Sequence, residues 1–164
     1  MMMRRAVLLA AAVSLLSACA TSRGPVEQRS TQGPTAEMFW TAAILVQNGR
    51  APTFEEKRHW EDDIEARIAA YLRAHPEAAN ALTVSSFRFH KQVVVGMDRE
   101  QVKILLGEPS RTSTDPAEMR NVARGFWPSL RGKATDVLVY PLGWAFFFTG
   151  DTLIDITQYV PPGS

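Results

Sequence analysis

Cysteine is nearly absent from this chain: Cys19 is the only one in 164 residues. A lone cysteine excludes an internal disulfide in any compartment. Histidine is also scarce, and His59, His75 and His90 stand too far apart for a short helical metal motif of the HExxH kind. Neither sign of charge dominates. The formal net charge is +1, and loss of a leader carrying Arg4 and Arg5 lowers it by two, to −1. So balanced a chain has no global field to draw in nucleic acid, and no nucleic-acid partner is expected. There is no G-x-S-x-G elbow, P-loop or dinucleotide fingerprint. Glu100 and Glu108 lack a neighbouring group that would make a paired acid–base site. The residues nominate no catalytic centre, no metal site and no cofactor. The expectation is a protein that is not an enzyme.

What is present suits a folded domain. Hydrophobic residues make up 46% of the chain and charged ones 21%, a balance that supports a real core and excludes wholesale disorder. The first residues are of another kind. Met1 to Arg5 form a short basic stretch, and Ala6 to Leu16 an apolar run of about eleven residues, too short to span a bilayer as a helix. Leu16-Ser17-Ala18-Cys19 then resembles the bacterial lipobox, in which small residues admit the signal peptidase and the cysteine becomes an acylated N-terminus. The resemblance implies a signal peptide over residues 1–18 and a lipid anchor at Cys19, with an ordinary signal peptide and a stray cysteine as the plainer alternative. Ala20 follows; in such lipoproteins the absence of Asp there implies export to the outer membrane, facing the periplasm, rather than retention at the inner membrane. Residues 19–35 are rich in Ser, Thr, Gly, Pro and Gln without apolar periodicity, and read as a flexible tether.

Residues 36–92 read as helical. Glu37 to Asn48, ending at Gly49, is apolar nearly all round, so as a helix it requires cover on most sides. Thr53 and Glu56 form a capping box ahead of Trp60, Ile64, Ile68, Tyr71 and Leu72, which recur at helical spacing until His75-Pro76. Glu55, His59 and Asp63 fall on one face of that helix; a solvated, salt-linked face is preferred over a metal site. Pro76 opens a short further helix through Leu82. Phe87 and Phe89 alternate as in a strand, yet Leu82 and Phe89 fit a helix, and the helical reading is preferred.

The best-marked element follows Val93-Val94-Val95-Gly96-Met97. Asp98 and Gln101 make a capping box, Met97 and Val102 a hydrophobic staple, and Gly107 with Pro109 a stop. Val102, Leu105 and Leu106 face the core, leaving Arg99, Glu100 and Lys103 to water. Ser110 to Thr135 read as a long polar loop bearing Arg111, Arg120, Arg124, Arg131 and Lys133, pinned to the core by Phe126, Trp127 and Leu130. Its arginines suit lipid head groups or wall carboxylates, but isolated surface charges are the simpler reading. Asp136 to Leu142 form a strand, with Pro141 and Gly143 at its end or a bulge. Trp144 to Thr149 and Thr152 to Tyr159 form a hairpin around Gly150-Asp151. A two-residue turn puts Trp144, Phe146 and Phe148 on the face of Leu153 and Asp155; a longer loop puts them with Ile154 and Ile156. Burying Asp155 among three aromatics is costly, so the longer loop is expected. Both faces of this sheet are partly apolar: one packs on helices, the other is covered by the N-terminal helix or open to a partner. Trp144, Phe146 and Phe148 are core residues first and a docking stripe second.

Gly96-Met97-Asp98-Arg99-Glu100-Gln101-Val102 and Leu105-Leu106-Gly107-Glu108-Pro109 resemble the turn-and-helix signature of the SmpA/OmlA (BamE-like) lipoprotein domain. Val137-Leu138-Val139-Tyr140 and Trp144-Ala145-Phe146-Phe147-Phe148-Thr149-Gly150 resemble its strand motifs, so that the likeness spans residues 93–160. It implies an α+β fold, helices packed on about three antiparallel strands, and an accessory role in outer-membrane assembly or integrity with envelope proteins as partners. The extra helical segment and the long loop mark a divergent member. Readings of other classes are a periplasmic inhibitor or ligand-binding module, and a cell-wall hydrolase.

Overall fold

The computed structural model describes residues 25–162; the expected signal peptide with its Leu16-Ser17-Ala18 motif, Cys19 and the first part of the expected tether lie outside them. In chain order the elements are β1 (Val26–Ser30), β2 (Gln32–Thr35), α1 (Ala36–Asn48), α2 (Phe54–Ala74), β3 (Gln92–Val94) and α3 (Arg99–Leu106). They continue with β4 (Arg111–Ser113), α4 (Pro116–Ala123), α5 (Trp127–Leu130), β5 (Asp136–Val139), β6 (Trp144–Thr149) and β7 (Thr152–Val160). The fold is α+β, as expected.

The helix ends obey their local signals. At α3, Gln101 N–H donates to Asp98 Oδ1 (2.7 Å) while Asp98 N–H donates to Gln101 Oε1 (3.0 Å). The staple residues Met97 and Val102 are both fully buried in the main core. Gly107 ends the helix with φ 81° and ψ −164°, a conformation open to glycine alone. Thr53 and Glu56 repeat the reciprocal box at α2. Ser86–His90 form a π-helical turn, with Phe87 fully buried and Phe89 exposed.

The sheet is larger than the three strands expected. Five antiparallel strands run in the order β1-β7-β6-β5-β4, and β2 and β3 form a separate pair. The two additional strands of the larger sheet, β1 and β4, come from segments that look unstructured. β1 and β2 arise within the supposed tether, where alternation is hidden because β1 is an exposed edge with polar residues on both faces. What holds β1 is pairing along all of β7, from Val26 opposite Val160 to Ser30 opposite Ile156, and the fork of Arg29 on Asp155 (2.5 and 2.9 Å). Asp155 is thus paired, although its side chain is only 8% exposed.

The hairpin resolves its register with a β-bulge. The turn is the short one: Thr149 faces Thr152, Gly150 alone in the turn has positive φ, and Phe148 faces Leu153. The register then shifts, so that Phe147 faces Asp155 and Phe146 faces Ile156. One extra residue on β7 lets Leu153 and Ile156 share the face of Phe146 and Phe148 while Asp155 turns to the other face. The expected longer loop is therefore corrected: the slip lies inside the strand.

Each sheet face has its own core. On one, Phe146, Phe148, Leu153 and Ile156 pack with Ile64, Ile68 and Tyr71 of α2 and Val102, Leu105 and Leu106 of α3. On the other, Val137, Ala145 and Phe147 pack with Met119, Ala123, Trp127 and Leu130. The expected long loop thus holds β4, α4 and α5, and it is this segment, not the N-terminal helix, that covers the second face. Asp115 caps α4 through Ala117 N–H (2.9 Å) with Pro116 in the first turn, start signals that the arginines around them obscure.

Candidate interaction surfaces

The aromatic stripe, read as core first and as a docking surface second, lies inside. Trp144, Phe146 and Phe148 are 6%, 0% and 0% exposed and belong to the main core. Phe146 meets Tyr140 edge-on and Trp144 in a stack. Phe148 carries the guanidinium of Arg99 4.5 Å over its ring. Arg99 is likewise not free to water. It reaches Asp136 Oδ2 (2.5 Å) and the carbonyl of Gly150 (2.9 Å), clamping the start of α3 to the tip of the hairpin. The bond to Asp136 raises the Arg99 pKa above its ordinary value. The Tyr71 hydroxyl donates to Asp98 Oδ2, joining α2 to the same helix start; burial, then that bond, raises the phenol's pKa. Of the remaining motif residues, Gly96 precedes α3, Gln101 lies within it and Pro109 follows it. Glu55 and Asp63 pair with Arg58 (3.8 Å) and Arg67 (3.0 Å), a salt-linked face.

Among the described residues, two open surfaces combine an apolar lining with exposed hydrophobic side chains. The first is a groove between α1 and the 3-10 turn Pro141–Gly143, a cavity of about 210 Å³. Phe39, Ala42, Ala43, Val46, Pro141 and Leu142 line it, with Gln47 the one polar liner. α1 was expected to need cover on most sides. It is covered on one side only, leaving Leu45 53% and Val46 81% exposed. Phe39 and Trp40 are its inner contacts, edge-on to Tyr140 and stacked on Trp60. Tyr140 packs against the groove residue Phe39, its hydroxyl donating to Gly107 O (2.8 Å). Burial foremost, with the charge of Glu108, raises its pKa and keeps it a donor. Leu142 holds φ +61° yet is 45% exposed. A left-handed backbone costs a non-glycine residue about 1–2 kcal/mol, and an exposed side chain returns little of it.

The second surface is a cleft of about 450 Å³ between α2 and the turn Ser86–His90. Ile68, Ala69, Leu72 and Phe89 give it an apolar floor, Arg73 and Arg88 stand at its side, and the one acidic liner, Glu65, is paired with Lys91 (3.0 Å). Arg88 lies over the ring of Phe89, 5.2 Å from its centroid. Neither arginine has a carboxylate partner among the described residues. Helical spacing groups Phe89 with Leu82 on one apolar face in the sequence; in the structure both are exposed, and Phe89 lines this cleft. Compared with protein-family models, curated proteins and solved structures, the chain matches none.

Proposed function

We propose that this chain is a lipid-anchored protein of the bacterial envelope, a divergent relative of the SmpA/OmlA (BamE-like) lipoproteins. It is held at Cys19 in the outer membrane, faces the periplasm and binds protein partners in a scaffolding or assembly role without turnover. The apolar run ending in Leu16-Ser17-Ala18-Cys19 supports the anchor, and Ala20 supports the outer membrane over the inner. The observation that carries the binding role is the α2 cleft, in which an apolar floor lies beside two arginines without carboxylate partners. Such a surface suits a protein segment that brings both apolar and acidic side chains.

Two variants test the two halves of this reading. Cys19→Ala is expected to leave the domain folded and weaken its hold on sedimented membranes; a bare, unprocessed Cys19 thiol in the intact mass of the unsubstituted protein contradicts the anchor. Arg73 and Arg88 are exposed, so the double reversal Arg73→Glu, Arg88→Glu is expected to change stability by only about 0.5 kcal/mol. It should nevertheless abolish recovery of the partner from solubilised envelopes. Undiminished recovery overturns the cleft as the binding surface. Recovery of barrel-assembly subunits supports the assembly role, whereas recovery of an enzyme whose activity falls on binding supports the inhibitor reading.

A further inference from the structure

We propose that the apolar end of the domain, the α1 groove with its rim, seats in the surface of the same bilayer that holds Cys19. The protein then meets the membrane through a protein face as well as through acyl chains. This inference rests on the lipid anchor proposed above.

The face has the chemistry of an interfacial surface. Glu37 is the only charged residue in α1, so every position from Met38 to Asn48 is uncharged. A helix side turned to water is ordinarily polar, and a clustered apolar patch marks an interaction site. Val46 and Leu142 line the groove, Leu45 is exposed next to Val46 in α1, and folding gives no reason for exposing them. Leu142 adds the left-handed backbone described above, held by Gln158 Nε2 donating to its carbonyl (3.0 Å).

Position selects lipid as the occupant. Gln158 also accepts from Gln28 Nε2 (2.7 Å), on β1, and Val26, two residues earlier, pairs with Val160. The groove and the start of β1 therefore share one end of the sheet. From Pro25 the chain returns to Cys19 in six steps. Fully extended, six residues reach at most about 20 Å, so the anchor holds this end against its own bilayer. The far end is marked by the Gly150-Asp151 turn, one β6 length away, about 20 Å. Gly96 bonds to Leu153 there (2.8 Å), and Thr83 lies beside Gly96, so Leu82, fully exposed, belongs to that far end. An interfacial helix sinks its apolar face about 5–10 Å below the head groups, enough to take Val46 and Leu142 and leave Leu82 in water.

The test uses the chain's cysteine scarcity. With Cys19 consumed by the anchor, Val46→Cys, Leu142→Cys or Leu82→Cys carries a single free thiol for an environment-sensitive fluorophore. The acylated protein is purified in detergent and reconstituted into zwitterionic phosphatidylcholine vesicles, some containing nitroxide-labelled lipid. Expected are a blue shift and several-fold quenching by the nitroxide lipid at positions 46 and 142, independent of salt, and neither effect at 82. Equal quenching at all three positions, or none, overturns the proposal. So does a concentration-dependent blue shift at 46 without lipid quenching, the mark of a second copy in the groove. A protein partner is the occupant, and the proposal fails, if native membranes protect position 46 but nitroxide lipid does not quench it. Intact mass separates the two readings. A bare thiol at Cys19 removes the anchor itself, whereas an acylated chain unquenched at 46 overturns only the seating of this face.

Discussion

Phe146→Ala is expected to lower the stability of the domain by about 3–5 kcal/mol, a large share of the 5–15 kcal/mol that ordinarily holds a domain together. Phe146 has no exposed surface and lies in the middle of β6, opposite Ile156 on β7 and Leu138 on β5. Its ring stacks on Trp144 and meets Tyr140 edge-on, so truncation removes both aromatic contacts as well as the buried area. β2 approaches closely from above: a Cβ on Gly33 would stand 3.1 Å from the Phe146 ring. Neighbours tied into two ladders collapse little into the space left, which places the cost at the upper part of the range. Urea unfolding measures it, through a lower midpoint at unchanged slope. Val46→Ser is the control. At 81% exposed, Val46 is expected to change stability by no more than about 0.5 kcal/mol. If Phe146→Ala instead proves as mild as Val46→Ser and weakens partner recovery, the aromatic stripe is a docking surface after all.

Gly143→Ala is the second severe substitution, expected to cost about 3 kcal/mol or more and to disturb the groove. Gly143 holds φ +76°, in which a side chain is strained whatever the room available. There is also no room: an added Cβ would lie 1.7 Å from the carbonyl oxygen of Tyr159 and 2.6 Å from its carbonyl carbon. Both are backbone atoms of β7, itself paired to β1 and β6, so they cannot swing aside as a side-chain end does. The chain can relieve the clash only by shifting the turn Pro141–Gly143, which carries Leu142 into the groove wall. Gly49→Ala shares the positive φ, at +66°, but meets nothing within 4 Å, so it isolates the conformational cost alone. A Gly143→Ala variant no less stable than Gly49→Ala would contradict the close approach. Thermal unfolding of the pair reads the difference.

Legibility in the sequence followed the range of the forces involved. The caps of α2 and α3 are written within four residues of each helix end, and the structure reproduces each hydrogen bond. The staple, the helical face of Ile64, Ile68 and Tyr71, and the existence of the β6–β7 hairpin are equally local. β1 is the counter-example. Val-Glu-Gln-Arg-Ser has no apolar alternation, and it becomes a strand because β7 offers an unpaired edge and Asp155 a buried charge that needs Arg29. The same holds for Arg99, which reads as a solvated helix residue until Asp136 and Phe148 arrive from strands 37 and 49 residues further on.

From the sequence alone came the capped helices, the candidate acylated cysteine and the apolar surplus of α1, since each depends on composition or on neighbours along the chain. The tertiary structure alone decided how many strands the sheet has, that α4 and α5 cover its second face, that Trp144, Phe146 and Phe148 are interior, and that α1 keeps one side bare. The physical reason is that a residue's burial is set by what packs against it from distant sequence. An apolar side chain records a tendency to leave water, not which face of the fold will have room to receive it.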